Sequence, residues 1–376
     1  MVDGNLHYYG VTVSKIIGFV AVAIFLYKGS ITISKTRNFY LILMYPILFI
    51  FFGFFPNMEF SEGWIKSLIS AVVGLIIVII LSNKTKQKNI PPVISRIPEL
   101  LCLMLPLYLV QFFSGSGFLT GRIFKHEFFD GFRISGLMND PNYFGVILSI
   151  GIVLLLFPLV KRTVKLNFLL FATIFLLIIM TGSRSAMLVS FINIIFFIVI
   201  NEKYSIFKRA FIAFIMAVSI FLAISSNIIP SQISDLFDSD KYSVQSQRTS
   251  LVTRMYLLNK GIDKFMENPV LGIGLMKMQE DTSGVYGGNS HNSIVEIMVN
   301  NGLIGLILYL GLFWFFTIRA FQISSRNLRF SSIFLLFTIF SLNLFLVNHL
   351  LKTTFLVFSI ALIIFQYDKR YTCINK

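Results

Sequence analysis

Residues 166–200 run LNFLLFATIFLLIIMTGSRSAMLVSFINIIFFIVI. Two apolar runs, 166–181 and 185–200, are separated only by the tight turn Thr181-Gly182-Ser183-Arg184-Ser185. Each run approaches the length that carries an α-helix across a hydrocarbon layer of about 30 Å. The same pattern recurs along the chain. Of the 376 residues 56% are apolar and only 13% charged, and mean hydropathy is +0.80, whereas a soluble domain of this size needs far more polar surface. The expectation is an all-α polytopic membrane protein, a single integral membrane domain over 1–376. It has about eleven (ten to twelve) transmembrane helices, placed near 11–27, 39–55, 64–82, 98–113, 142–160, 166–181, 185–200, 207–226, 293–318, 331–348 and 353–367. The N-terminus lacks a basic region and a small-residue cleavage site, so its first apolar stretch reads as a span.

The loops between these spans alternate in charge. One set holds Lys28, Lys35, Arg37, Lys84, Lys86, Lys88, Arg96, Lys161, Arg162, Lys165, Lys203, Lys208, Arg209, Arg319, Arg326, Arg329, Lys369, Arg370 and Lys376, 19 basic residues against three acidic ones. The other set carries the remaining 13 basic and 14 acidic residues. By the positive-inside rule the first set is cytoplasmic, which puts the C-terminus inside and the N-terminus outside. Topology thus accounts for the net charge of +15 without nucleic acid as a partner. Cys102 and Cys373 are too few and too far apart for a disulfide framework, and no His, Cys and carboxylate cluster has ligand spacing, so no metal or other cofactor is expected.

The one long hydrophilic stretch, 227–292, falls outside as a large external loop. It opens on an acidic piece with Asp235, Asp238 and Asp240. An amphipathic helix follows, its stripe Leu251, Met255, Leu258, Ile262 and Phe265 spaced to rest on the bundle or the lipid surface. Pro269, Gly272 and Gly274 end it.

Chemistry-bearing residues gather on that outer side. Asp140 before Pro141 has the form of an N-cap with proline at N1, which makes Asp140 chiefly a helix start; Arg133 lies just upstream and the cap does not use it. Arg184 stands in the first turn of a helix, where the macrodipole disfavours a cation, and a charge at membrane depth costs on the order of 2–3 kcal/mol. Snorkelling to lipid phosphates is the plainer account of it, and a ligand the better one. Arg254 sits beside the amphipathic stripe and is placed to reach inward; Arg248 has the look of an ordinary loop charge. Ser293-Ile294-Val295-Glu296 fits a capping box, making Glu296 mainly structural, and sets His291 and Asn292 just outside a helix N-terminus. There the dipole keeps an imidazole neutral and attracts anions, and a neutral imidazole accepts protons. His349, Lys352, His7 and His126 read as interfacial residues. Arginines bind phosphate oxygens through several fixed donors. A base beside an arginine cluster suits transfer of a group from a lipid-linked phosphate, with arginine stabilising the departing diphosphate and histidine activating an acceptor hydroxyl.

The motifs RISGLMNDPN over 133–142, Thr181-Gly182-Ser183-Arg184-Ser185-Ala186, Arg254 followed by Pro269 and Gly272-x-Gly274, His291-Asn292, and Asn301-Gly302-Leu303-Ile304-Gly305 together resemble the O-antigen polymerase/ligase superfamily. The match covers roughly residues 130–310. The resemblance implies a metal-independent glycosyltransferase of the GT-C type acting on undecaprenyl-diphosphate-linked glycans at the outer face of a bacterial inner membrane, with a chain-length regulator as a further partner. By motif match it implies Arg254, His291 and Arg184 as catalytic residues; Arg133, Asp140, Asn142, Arg248 and Asn292 are the candidates for substrate binding. Family members show about twelve spans with both ends cytoplasmic, so the eleven read here differ at the N-terminus.

Polymerisation of lipid-linked repeat units is the leading expectation. Ligation of the finished glycan to lipid A-core or another acceptor is the second, since the donor site is shared. A flippase for the same lipid-linked unit needs ionisable residues within several spans and discontinuous helices; few charges sit mid-span here, and the arginines gather at one face.

Overall fold

The computed structural model describes residues 44, 47, 48, 50–54, 56, 92–115, 132–136, 138, 140–160, 162–200, 250–275, 277–278, 290–346 and 352–374. These residues are helical, joined by short turns. Helices α1 (Ile97–Leu103) and α2 (Leu105–Ser114) form a pair bent by 46°. They are followed by α3 (Pro141–Leu156), α4 (Val164–Thr181), α5 (Arg184–Ile200), α6 (Ser250–Glu267), α7 (Ser293–Phe321), α8 (Arg326–Asn343) and α9 (Lys352–Ile374).

Among the described residues, α4 and α7 are each long and apolar enough to cross a membrane, and the bent α1–α2 pair is a third if it counts as one span. Helices α3 and α5 are apolar but shorter. Helices cover much of the expected spans 98–113, 142–160, 166–181, 185–200, 293–318, 331–348 and 353–367. Those near 11–27, 64–82 and 207–226 lie outside the described residues, as does most of 39–55, and the expected total of eleven is not established. Pro106, at the second position of α2, explains why the span read as continuous over 98–113 is bent: a proline cannot donate to the carbonyl one turn back.

Helix α3 packs against α1, α4, α5 and α8, and α8 packs in turn against α7 and α9. A phenylalanine-rich core joins them, with Phe157 stacked on Phe334 at 4.8 Å between centroids and Phe316 stacked on Phe358 at 4.9 Å. Polar ties cross this core. Asn193 of α5 donates to Thr338 of α8 at 2.7 Å, and Ser190 of α5 to Ser149 of α3 at 3.0 Å.

The loops expected to share one side do meet. Arg162 grips Glu99 with two bonds of 2.7 and 3.0 Å, Asp368 accepts the backbone N–H groups of Ser324 and Ser325 at 2.8 and 3.0 Å, and Arg326 donates to the Ile200 carbonyl. At the opposite end of these helices lie the turn at 181–184, the start of α3 and the start of α7.

Two expectations change at that second end. The α6 stripe is rotated. Leu257 is fully buried against Met278, Val295 and Val299, and Gly261 lies so close to α7 that a Cβ there would stand 2.7 Å from Val295 Cγ1. Leu258 and Phe265 join this cluster, but Met255 and Ile262 are exposed. Apolar residues on both faces of α6 explain why periodicity alone misplaced its buried side. The expected capping box also fails: the cap of α7 is Asn292, whose Oδ1 accepts from Ile294 and Val295 N–H at 2.9 and 3.2 Å. Ser293 instead donates to the Leu346 carbonyl at 2.6 Å, and Glu296 is left to reach further back, to Ser290.

Helix α7 is interrupted at Gly302, whose φ of 63° and ψ of −158° are non-helical. The segment 269–275 fills the break. The carbonyls freed at Val299 and Asn300 accept from Ile273 and Gly274 N–H at 2.8 and 3.2 Å, while Leu303 and Ile304 N–H reach the Pro269 and Val270 carbonyls at 2.8 and 3.4 Å. Leu275 N–H continues to the Gly53 carbonyl at 3.0 Å. Backbone groups in an apolar setting must find partners inside the protein, and this reciprocal clamp satisfies both segments at once. It also explains the two glycines. A Cβ on Gly272 (φ 76°) would stand 2.5 Å from the Val299 carbonyl oxygen, and one on Gly302 would collide with the carbonyl of Val270.

Candidate active site

Three short segments form the floor of the site. Asp140 has extended backbone (φ −143°, ψ 133°) and its carboxylate accepts the Asn142 N–H at 2.7 Å, so it caps α3 as expected, with Pro141 behind it. Arg133 donates through Nε to the Thr181 carbonyl at 2.7 Å and through Nη2 to Asn142 Oδ1 at 3.0 Å. Its backbone is held alongside, since the neighbouring Ile134 N–H bonds the Met180 carbonyl. The buried Gln111 of α2 fixes the next two residues, its Oε1 accepting from Ser135 and Gly136 N–H at 3.1 and 3.0 Å.

The 181–186 turn is shaped for close approach. Gly182 ends α4 in the left-handed conformation, with φ 61°, and Thr181 Oγ1 accepts the Ser183 N–H at 3.1 Å. A Cβ on Gly145 of α3 would stand 2.7 Å from Ala186 Cβ and 3.1 Å from Ser183 Cβ, so small residues on both helices bring the turn against α3. Arg184, the first residue of α5, is exposed beside this contact.

His291 enters from the opposite segment. It is the one non-glycine residue with positive φ (52°) among the described residues, and it is half-buried at the mouth of α7. Burial and the Arg254 guanidinium push its imidazole below the ordinary value, and the Asp140 carboxylate pulls the other way. Arg254 of α6, Asp140 at the cap of α3 and His291 therefore share one electrostatic environment, although their segments are far apart in sequence. Arg254 lies half-buried on the face of α6 that carries Leu257 and Leu258.

Three residues at this place carried no functional role in the sequence reading. Tyr143 lies within electrostatic reach of both Asp140 and Glu296; its position three residues after the Asp140 cap was the available signal, since that spacing keeps it on the same face of α3. Glu296 is almost fully buried, with 1% exposure, and its Oε2 accepts from Ser290 N–H at 3.2 Å and Ser290 Oγ–H at 2.9 Å. Ser290 had no signal beyond a polar loop. Arg248, His349, His7 and His126 lie outside the described residues.

The chemistry this arrangement supports is anion binding beside a neutral imidazole. Burial first, and then the permanent positive charge of Arg254, favour the proton-accepting form of the His291 imidazole. Asp140 and Asn142 are occupied in shaping the cap and in holding Arg133, and Asn292 in capping α7.

Known proteins agree with the motifs. A family model described as O-antigen ligase matches residues 169–310, a stretch containing Arg184, Arg254 and His291. A Rickettsia conorii protein provisionally named a polysaccharide ligase is 26% identical over 236 residues, which cover 59% of this chain and 54% of that relative. The chain thus spans about half the length of the curated relative it matches. The fold is that of a helical membrane protein, with His291 under the electrostatic influence of Arg254 and Asp140. Residues 169–310 resemble that ligase family, and both comparisons support the O-antigen ligase/polymerase superfamily.

Proposed function

We propose that the protein transfers a glycan from an undecaprenyl-diphosphate carrier to an acceptor hydroxyl at the outer face of a bacterial inner membrane. The observation that carries this reading is the shared electrostatic environment of His291, Arg254 and Asp140. His291 takes the proton of the acceptor hydroxyl. The hydroxyl oxygen bonds to the anomeric carbon as the carbon–oxygen bond to the diphosphate breaks, and the diphosphate leaves with the electron pair. Arg254 and Arg184 hold the developing negative charge, the role for which preorganised cations are most effective. Arg133 supports the donor side by fixing the start of α3 against the 181–186 turn. No nucleotide is consumed, because cleavage of the glycosyl–diphosphate bond supplies the driving force.

The motifs lead with polymerisation, in which the acceptor is the non-reducing end of another lipid-linked unit. Ligation to lipid A-core or another acceptor is favoured by both matching names, the O-antigen ligase family and the polysaccharide ligase of Rickettsia conorii. Reconstitution with undecaprenyl-diphosphate-linked units separates the two. A ladder from that single substrate assigns polymerase, and product only on addition of a second acceptor assigns ligase. Absence of product under both conditions overturns the transferase reading.

A further inference from the structure

We propose that Glu296 is a positioning residue for His291, acting through Ser290. The inference rests on the reading of His291 as the base, and deepens it. Left-handed backbone is unfavourable for a residue with a side chain and persists only where surroundings impose it. His291 adopts it between two residues that are both tied down. On the C-terminal side Asn292 is fixed by capping α7. On the N-terminal side Ser290 is fixed by the Glu296 carboxylate, which takes both its N–H and its hydroxyl. The two anchors are also tied to each other across His291, because Ser290 Oγ accepts the Asn292 N–H at 3.3 Å.

Glu296 is thus spent neither on Ser293 nor on the first turn of its own helix. A carboxylate one turn into α7, with 1% exposure, folds back over the helix N-terminus to set the loop that bears the histidine. Burying an ionised group is costly unless its oxygens are hydrogen-bonded, and Ser290 supplies two such bonds to one oxygen. The action of Glu296 on His291 is geometric. A glutamine, which keeps an acceptor oxygen at the same place, preserves it; an alanine does not.

The test uses the full-length protein in membranes, with undecaprenyl-diphosphate-linked units as substrate and diethyl pyrocarbonate as a probe of His291, followed by peptide mass spectrometry. Glu296→Ala lowers kcat about 10²-fold, the scale for misplacing a catalytic group by about 1 Å, with KM for the donor little changed. It also alters the rate at which His291 is modified. Glu296→Gln restores both readouts to near the wild-type values, and Ser290→Ala moves both in the direction of Glu296→Ala. Combining Glu296→Ala with His291→Ala costs no more than His291→Ala alone, because the two act through one group. Unchanged His291 modification in Glu296→Ala overturns the proposal whatever the activity, as does a glutamine variant as impaired as the alanine. If instead His291→Ala keeps full activity while Glu296→Ala still changes His291 modification, the base assignment falls and the positioning contact stands.

Discussion

Arg133 donates its Nε hydrogen to the carbonyl of Thr181 at 2.7 Å. This bond joins two sequence motifs 48 residues apart and places a guanidinium at the C-terminus of α4, the negative end of a helix dipole. With Nη2 committed to Asn142, Arg133 is a bracket between α3 and α4 before it is anything else. The 181–186 turn is consequently tied to a residue outside the stretch that the family model matches.

Arg133→Lys therefore lowers stability, because an ammonium cannot reproduce a planar fork serving two acceptors. Loss of one charged hydrogen bond corresponds to about 1.5–3 kcal/mol. Thermal inactivation of the detergent-solubilised variant, compared with wild type, measures it; an unchanged half-life rules out the bracket.

Acidity probes the site without dismantling it. The His291 imidazole is held below its ordinary value by burial and Arg254, while Asp140 opposes them, so the proton-accepting form persists to lower pH than for a free histidine. Activity should fall only as pH drops through that lowered value. Asp140→Asn removes the opposing charge and keeps a competent helix cap, asparagine serving as well as aspartate. The acid limb of the kcat/KM profile then moves to still lower pH. A shift in the other direction contradicts the assigned neighbourhood. Stability carries the same sign: a folded-state pKa below the unfolded one means that stability is lost as pH falls through the window between them.

Gly302→Ala and Gly272→Ala should both abolish stable accumulation of the protein. Each position has positive φ and each Cβ meets backbone across the clamp, so conformational strain of roughly 1–3 kcal/mol adds to a clash that no rotamer relieves. Gly311→Ala, at a position with nothing within 4 Å of its Cβ, leaves protein level unchanged. Immunoblots of membrane fractions make the comparison, and equal levels for all three variants contradict the clamp.

Legibility in the sequence followed the range of the interaction. The Asp140 cap was readable because cap, proline and helix are adjacent in the chain. The capping box was misread because S-x-x-E scores only the Ser293–Glu296 spacing, whereas Asn292 competed for the cap and Ser290 for the carboxylate. The α6 stripe was half right: Leu258 and Phe265 pack inward, but Met255 and Ile262 are as apolar as Leu257 and no periodicity distinguishes a bundle-facing methionine from an exposed one. Pro269, Gly272 and Gly302 were visible as motif letters. Their pairing across about thirty residues of backbone was not, because hydrogen bonds between a loop and a broken helix leave no side-chain pattern. That Arg254 acts on His291 is in keeping with their place in one hydrophilic stretch of the sequence.

In the proposed mechanism His291 and Arg254 together drive cleavage of the donor, and release of undecaprenyl diphosphate reads this directly, whichever acceptor is used. With purified wild-type protein and undecaprenyl-diphosphate-linked units, release accompanies glycan transfer. In His291→Ala and Arg254→Ala it falls by roughly 10²–10⁴-fold at unchanged protein level. Release at the wild-type rate from either variant contradicts the account.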